Sequence, residues 1–225
     1  MKPRILLLFI FCFVTICIYS QNNPFSFGVR AGMNLSDMDV DHTDTKAKVG
    51  YQFGVVGEYG LSNNFFLQGN LLFTSKGFKT KESGVWDING DGLDDEGTLR
   101  LTWNALYLKM PIMIGYKVDV TENFKINFAA GPYIAYGVGG KITGEIDARF
   151  QYPTETEHVK EKDKTNTFSD ESIKRFDAGI TGVVAAEYNQ FILSVGYEYG
   201  LTDISQGMNS IHNRNAFVTL GYKFF

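Results

Sequence analysis

Apolar and polar residues alternate along eight segments of the chain. From Val49 to Leu61 nearly every second residue is apolar, whereas the residues between them are mostly glycine, glutamine or glutamate. Seven other segments share this alternation: Phe25–Leu35, Phe65–Ser75, Leu106–Val118, Phe124–Val138, Phe176–Tyr188, Phe191–Leu201 and Ala216–Phe225. A period of two is typical of β-strands with one apolar face. The pattern therefore predicts an all-β chain.

The connections between these segments alternate between short and long. The short ones are 62–64, 119–123 and 189–190, and the long ones are 36–48, 77–100, 139–175 and 202–213. This order is typical of an up-and-down barrel whose termini share the end with the short turns. Each segment has 10 to 15 residues, and about 9–11 suffice to cross a bilayer at a ~45° tilt. We predict a single eight-stranded antiparallel transmembrane β-barrel with short periplasmic turns and long extracellular loops.

The face opposite the apolar one is rich in glycine and carries charge. Ten charged residues occupy it: Arg30, Glu58, Lys76, Lys109, Lys117, Lys125, Asp177, Glu187, Glu198 and Lys223. Six are basic and four acidic, so we expect an ion-pair network that fills a narrow polar lumen while the apolar face contacts lipid. Tyrosines near the strand ends on the apolar face predict an aromatic girdle. The alternative is a lipocalin-like soluble barrel, in which the apolar face would point inward.

The first twenty residues have the features of a secretory signal peptide. Lys2 and Arg4 precede an apolar run that extends from Ile5 to Ile18, and the small residue Ser20 follows. This pattern predicts a cleaved signal at residues 1–20 and one barrel domain at 21–225. A membrane anchor is the alternative, but the run is shorter than the ~20 residues that a spanning helix needs.

Charge and cysteine content narrow the function further. Both cysteines, Cys12 and Cys17, lie in the predicted signal, so the mature chain would contain no disulfide. The remaining 19 basic and 25 acidic residues give a net charge of −6. Because this balance lacks a basic excess, we expect no nucleic-acid partner. The 24 glycines, 19 phenylalanines and 12 tyrosines favour strands over helices.

One long connection contains DINGDGLDDEG, between Asp87 and Gly97, which has the oxygen spacing of a calcium loop. The candidate ligands are the side chains of Asp87, Asn89, Asp91 and Asp95 and the carbonyl of Leu93. Thr98 stands where an EF-hand would have its bidentate glutamate, and no helix pattern flanks the loop, so this is not an EF-hand. A loop of turns without metal is the alternative, because Asn-Gly and Asp-Gly pairs form turns by themselves.

The sequence gives little support to two other functions, catalysis and conduction. The three histidines, His42, His158 and His212, lie in predicted outer loops near acidic residues or Ser210, but their spacing defines no catalytic constellation. We therefore predict that the protein is not an enzyme. Side chains roughly fill an eight-stranded barrel, so the lumen is more suited to a plug than to a large water channel.

The connection 139–175 has mixed charge and few aliphatic residues between Gln151 and Ser172. Such a segment cannot bury enough apolar surface to order itself, and we expect it to be mobile or bound to a partner. Alternatively, the flanking strands continue beyond the membrane, because Ile142, Gly144 and Ile146 keep a partial alternation.

Several motifs resemble the outer-membrane β-barrel domain family of Gram-negative bacteria, which includes the PorT-type proteins. They are FGVRAGMNLS (Phe27–Ser36), LYLKMPIMIGY (Leu106–Tyr116), AAGPYIAYG (Ala129–Gly137) and FDAGITGVVAAEY (Phe176–Tyr188). The end of the chain, FVTLGYKFF, resembles the β-signal that the barrel assembly machinery recognises, with Val218, Leu220, Tyr222 and Phe224 in phase and Phe225 as one extra residue. The resemblance implies a location in the outer membrane, in contact with its lipid.

The pattern and the resemblance together predict an outer-membrane barrel with a structural or interaction role. We expect a monomer that requires no cofactor, with calcium as the candidate ligand of one outer loop, and with envelope proteins as further candidate partners. The alternatives are a PorT-type component that assists type IX protein secretion, a narrow solute channel and, last, an enzyme at the barrel rim.

Overall fold

The computed structural model describes residues 24–40, 45–62, 64–86, 95–151, 156–168, 173–205 and 210–224. These residues form ten strands: β1 (Phe25–Val40), β2 (Lys46–Ser62), β3 (Phe65–Lys76), β4 (Phe78–Trp86), β5 (Asp95–Thr121), β6 (Phe124–Gln151), β7 (Thr156–Asn166), β8 (Phe176–Tyr188), β9 (Phe191–Gly200) and β10 (Ile211–Lys223). Within these ranges no helix is long and apolar enough to cross a membrane.

Eight of the strands close into a ring in which every neighbour is antiparallel. Its order is β1, β2, β3, β5, β6, β8, β9, β10 and back to β1. The first and last strands pair over thirteen residues, from Gly28 opposite Lys223 to Val40 opposite Ile211. Closure leaves no open edge around the ring. The predicted eight-stranded up-and-down barrel is confirmed.

Strands β4 and β7 extend the barrel at the end opposite its short turns. β4 pairs with residues 95–102 of β5, and β7 pairs with residues 141–151 of β6. The same parts of β5 and β6 pair with each other. We call these four antiparallel segments the projecting sheet: β4, Asp95–Thr102 of β5, Lys141–Gln151 of β6, and β7.

The projecting sheet corrects the prediction that 77–100 is a loop. Of that range, Phe78–Trp86 and the residues from Asp95 onward are strand. Asp95–Gly97 of the calcium-like motif belong to β5, and the rest of the motif lies outside the described residues. For 139–175 the alternative holds on one side: β6 continues to Gln151, whereas β8 begins at Phe176 as predicted and the separate strand β7 lies between them in sequence. Cross-strand hydrogen bonds and side-chain pairs order these segments without a dry core.

Two glycines let neighbouring strands approach β5 where the barrel becomes the projecting sheet. Gly77 joins β3 to β4, and a side chain there would clash with the carbonyl oxygen of Trp103. Gly140 of β6 has a φ of +145°, and a Cβ there would clash with the carbonyl oxygen of Asn104. A non-glycine residue would be strained at that φ.

Alternate residues of the ring strands point outward and inward as predicted. On β9, Leu193 and Val195 are each 53% exposed, whereas Ser194 between them is 2% exposed. The outward set is apolar throughout the ring, and the inward set holds the buried polar residues. The apolar face is therefore the outer wall of the barrel, so the soluble lipocalin-like alternative is wrong.

Candidate functional site

Four buried charged side chains meet inside the ring near the projecting sheet. Lys76, Lys109, Asp177 and Glu198 come from β3, β5, β8 and β9, and each side chain is at most 2% exposed. The Lys76 ammonium lies 2.9 Å from the Glu198 carboxylate and 3.9 Å from that of Asp177. Lys109 donates a hydrogen bond to the other oxygen of Glu198. We call these four residues the upper ion cluster; it links four strands across the lumen.

Neutral side chains complete the hydrogen bonding of both carboxylates. Glu198 accepts a hydrogen bond from the Asn215 amide at 3.0 Å. Asp177 accepts hydrogen bonds from the Tyr133 hydroxyl at 3.2 Å and the Asn213 amide at 2.9 Å. A buried ion is tolerated when it is both paired and hydrogen bonded, and these two carboxylates meet that condition.

A second ionic group lies nearer the short turns. Lys117 contacts Glu58 and lies 3.5 Å from Glu187. Glu187 also accepts hydrogen bonds from Lys223 and, at 3.0 Å, from Asn127. The side chains of its charged members are 7% to 17% exposed. We call Glu58, Lys117, Glu187 and Lys223 the lower ion cluster, which is the more solvent-accessible of the two.

Apolar side chains separate the two ion clusters and cover the upper one. Along β5 the inward residues run from Lys117 through Met113 to Lys109 and Tyr107. Met113 belongs to a buried group that consists of Phe66, Met113, Ala129 and Val183, with Phe217 packed against it. A larger group covers the upper cluster: Met38, Phe78, Ala105, Tyr107, Tyr133, Ala135, Phe168, Ile173 and Ile204. The lumen therefore contains ionic and apolar layers in alternation, with neutral polar side chains such as Gln52 and Asn70 among them.

A small cavity lies beside the lower ion cluster. It has a volume of about 20 Å³, and Arg30, Glu58, Gln68 and Asn127 are among its lining residues. A water molecule needs ~10–15 Å³ measured in this way, so the cavity has room for about one. The Arg30 side chain, which is buried, lines this space.

The structure brings most of the predicted lumen charges together. Those inside the ring are Arg30, Glu58, Lys76, Lys109, Lys117, Asp177, Glu187, Glu198 and Lys223. Lys125 is the exception. It pairs with Asp119 at 2.9 Å at the short-turn rim, where the two side chains are 39% and 52% exposed. Lys125 is the second residue of β6, so its side chain reaches solvent instead of the interior.

The apolar layers are the part of the lumen that sequence reasoning missed. Tyr107 and Met113 share the phase of Lys109, and Phe66 shares the phase of Gln68. The signal was therefore present as large apolar residues on the face assigned to the lumen. A reading of that face based only on its charged residues and glycines does not reveal these apolar residues.

Comparison with known families identifies the class of the protein. A family model described as "Outer membrane protein beta-barrel domain" matches residues 19–206, which is well over half of the chain. The chain belongs to this family. No curated protein matches its sequence.

Several solved outer-membrane barrels are similar to this barrel. OprG from Pseudomonas aeruginosa is 15% identical, with 90% of this chain and 97% of OprG covered and a TM-score of 0.43. Ail from Yersinia pestis, solved with the heparin analogue sucrose octasulfate, is 11% identical, with 89% and 99% covered and a TM-score of 0.40. Neisserial surface protein A is 13% identical, with 88% and 97% covered and a TM-score of 0.39. Values this low indicate nothing about what the present barrel binds.

Family membership gives the barrel its orientation and surroundings. It lies in the outer membrane, with its apolar wall in lipid and its short turns in the periplasm. The projecting sheet is therefore outside the cell. The upper ion cluster lies at the extracellular end of the lumen, and the lower ion cluster lies at the periplasmic end.

Four of the five predicted calcium ligands, Asp87, Asn89, Asp91 and Leu93, lie outside the described residues. The fifth, Asp95, is buried at the start of β5, opposite Trp86. Among the residues that the structure describes, no three His, Cys, Asp or Glu side chains are grouped to hold a metal. The calcium site stays a prediction.

The histidines are distributed over different parts of the outer end. His158 on β7 is hydrogen bonded to Asp147 at 2.7 Å and is exposed. His212 on β10 pairs in register with Asp39 on β1. His42 and the neighbouring Asp41 and Asp44 lie outside the described residues. The described histidines therefore do not share one site.

Proposed function

We propose that the protein is a non-conducting anchor that holds the projecting sheet outside the cell for interaction with other envelope components. The observation that supports this most is the layered lumen. Solute would have to break the ion pairs of Lys76 and Lys109 with Glu198 and displace the aromatic residues Tyr107 and Tyr133 that lie beyond them. Eight strands enclose too little space for both these side chains and a water channel.

Conductance across a planar bilayer tests this function. The purified barrel should give no sustained channel steps in salt solution. A Lys76→Ala, Lys109→Ala, Glu198→Ala triple variant removes the upper ion cluster's contacts and serves as a control for a weakened plug. Stable steps from the unmodified protein would show a channel and would contradict the proposal.

We further propose that the barrel has no catalytic role. The separation of His158 from His212 and the partnership of His158 with Asp147 support this. Purified protein should cleave neither outer-membrane lipid nor peptide substrates. Cleavage that disappears in His42→Ala or His212→Ala would overturn it.

Assembly by the barrel assembly machinery is proposed from the last strand. Val218, Leu220 and Phe224 of the predicted β-signal are exposed on the outer wall, and Tyr222 packs edge-on against Phe224. A Phe224→Ala variant should assemble less efficiently in the outer membrane, measured as the heat-modifiable fraction on gels. Monomeric state and a PorT-type role in secretion stay predictions.

We also propose calcium binding by segment 87–95, on the oxygen spacing of Asp87, Asn89, Asp91, Leu93 and Asp95. Millimolar calcium should raise the resistance of segment 77–100 to added protease. Asp91→Ala should abolish that protection. Equal protection in both proteins, or in neither, would remove the site.

A further inference from the structure

The outward face of the projecting sheet carries four rows of side chains. This face contains every second residue of β5 outward from the lipid-facing Leu108, beginning with Leu106. From the membrane outward, the registers give the rows Lys79, Thr102, Thr143 and Lys164; then Lys81, Arg100, Glu145 and Lys162; then Ser83, Thr98, Asp147 and Lys160; then Val85, Glu96, Arg149 and His158.

Positive charge is concentrated in the two rows nearest the membrane. Those rows hold five cations and one acid, a net charge of +4, whereas the two outer rows balance to zero with His158 neutral. The Glu145 carboxylate accepts a hydrogen bond from Lys162, and this ion pair holds the pKa of the Glu145 carboxyl below its usual value. Among the described residues, no carboxylate lies within 4.0 Å of the other four cations: Lys79, Lys81, Arg100 and Lys164.

The first two rows lie above the lipid headgroups but within reach of them through their long side chains. Measured from Leu106 in the lipid-facing wall, Thr102 lies four residues outward along β5, which is about 13 Å of strand and about 10 Å of height at a tilt of ~40°, and Arg100 lies about 5 Å higher. The headgroup region extends roughly 5–8 Å beyond the hydrocarbon on each side. Long basic side chains reach several ångströms toward such a layer. The exposed cations of both rows can therefore contact headgroups beside the barrel.

Protection of the sheet edges explains this charge only in part. Lysine on an exposed edge strand discourages pairing with other chains. β7 and the part of β4 beyond Lys79 are edges of the projecting sheet, whereas Lys79 itself pairs with Lys46 of β2. Arg100, however, lies on a central strand. Edge protection also does not explain why the charge is concentrated near the membrane, since the two outer rows likewise end on the edge strands. A ligand that lies at the membrane surface accounts for both observations.

We propose that the base of this face binds phosphate groups of the outer-leaflet lipid. Lys79, Lys81, Arg100 and Lys164 would donate charge-assisted hydrogen bonds to the phosphate oxygens. The guanidinium of Arg100 can bind two oxygens at once. The site depends on the outer-membrane location but not on whether the lumen conducts.

The test is a binding titration of the purified, folded barrel in nonionic detergent with lipid A that carries two phosphates. The test variant replaces Lys79, Lys81, Arg100 and Lys164 with glutamine. A control variant replaces four cations elsewhere, Lys125, Arg149, Lys160 and Lys174, so that both lose the same charge. Heat-modifiable migration on gels establishes that each variant is folded.

Each cation near an anionic lipid surface contributes about a fivefold gain in affinity. The test variant should therefore bind at least about 100-fold more weakly than the unmodified protein, and the control variant should bind nearly as tightly. Dephosphorylated lipid A should bind weakly to all three proteins. Inorganic phosphate at millimolar concentration should not displace the lipid.

Three results would overturn the proposal. Equal losses of lipid A affinity in the two variants would show that only overall charge matters. Equal affinity for dephosphorylated lipid A would show that the phosphates are not the groups that bind. Displacement by inorganic phosphate, or tighter binding of a soluble sulfated polysaccharide with the same dependence on the four residues, would assign the face to a soluble anion instead.

Discussion

At the scale of single residues, Glu198 is the side chain on which the lumen depends most. It is the shared partner of Lys76 and Lys109, and all three are buried. Replacing Glu198 with glutamine would leave Lys109 without its carboxylate partner and Lys76 with only Asp177, 3.9 Å away. Breaking a buried ion pair costs about 3–5 kcal/mol, so we expect Glu198→Gln to lower the free energy of unfolding by that amount, measured by urea titration in detergent micelles.

Two companion variants separate charge from side-chain loss. Glu161→Gln, on the exposed surface of β7, should change the unfolding free energy by less than about 0.5 kcal/mol. Replacing Lys76, Lys109, Asp177 and Glu198 together with methionine, methionine, asparagine and leucine should destabilise less than Glu198→Gln alone, since no unpaired buried charge remains. A Glu198→Gln protein as stable as the parent would mean that the upper ion cluster contributes little.

The sequence could predict which residues face the lumen but not which of them meet. Because successive side chains of a strand point to opposite faces of the sheet, the alternation indicates that Lys109 and Glu198 face the interior. Pairing across the lumen joins residues 89 positions apart and depends on strand tilt and register, which a local pattern does not specify. Lys125 shows the limit of this kind of prediction. Its position in the alternation is inward, but it lies at the end of β6 and pairs with Asp119 in solvent.

At the scale of strands, Gly140 controls the passage from barrel to projecting sheet. An alanine there would combine an unfavourable φ with a clash against the Asn104 carbonyl. Strain of this kind costs about 1–3 kcal/mol. Gly140→Ala should therefore increase amide hydrogen exchange in β7 and the outer part of β6 while the ring strands remain protected.

The neighbouring glycine provides a matched control. A Cβ at Gly139 would have its nearest neighbour, a Leu106 methyl carbon, at 3.9 Å, which is ordinary contact. Gly139→Ala should leave exchange in the projecting sheet unchanged. If the two variants behave alike, the close approach at Gly140 does not determine the stability of the sheet.

Strands β4 and β7 were harder to predict than the ring for a physical reason. β7 reads TEHVKEKDKTN, and most of its side chains are exposed, so neither face has an apolar stripe that would reveal a strand. Its order comes from the backbone ladder with β6 and from charged pairs such as Lys160 with Asp147. Those partners lie on a different strand, and no local periodicity indicates them.

At the scale of the whole molecule, the protein is a closed wall with two different ends. The outer surface is apolar, the interior is filled by ionic and apolar layers, and the extracellular end continues as a sheet with a cationic base. Closure requires only that eight alternating strands pair, which is why the fold could be predicted from the sequence. The filling and the extension depend on contacts between distant residues.

One strand passes through every part of this arrangement. β5 runs from the tip of the projecting sheet through the extracellular end to the periplasmic rim. Single cysteines at successive positions from 96 to 118, each carrying a nitroxide spin label, would report access to lipid-soluble oxygen and to a water-soluble relaxation agent. Cys12 and Cys17, the chain's own cysteines, would be replaced by serine.

We predict that Leu108, Met110, Ile112 and Ile114 report lipid, that Tyr107, Lys109 and Met113 are shielded from both reagents, and that positions 96–102 report water. That result would establish the lipid-facing wall, the filled lumen and the external sheet in one experiment. Free access of the water-soluble reagent at Tyr107, Lys109 and Met113 would show an open channel and would contradict the central claim.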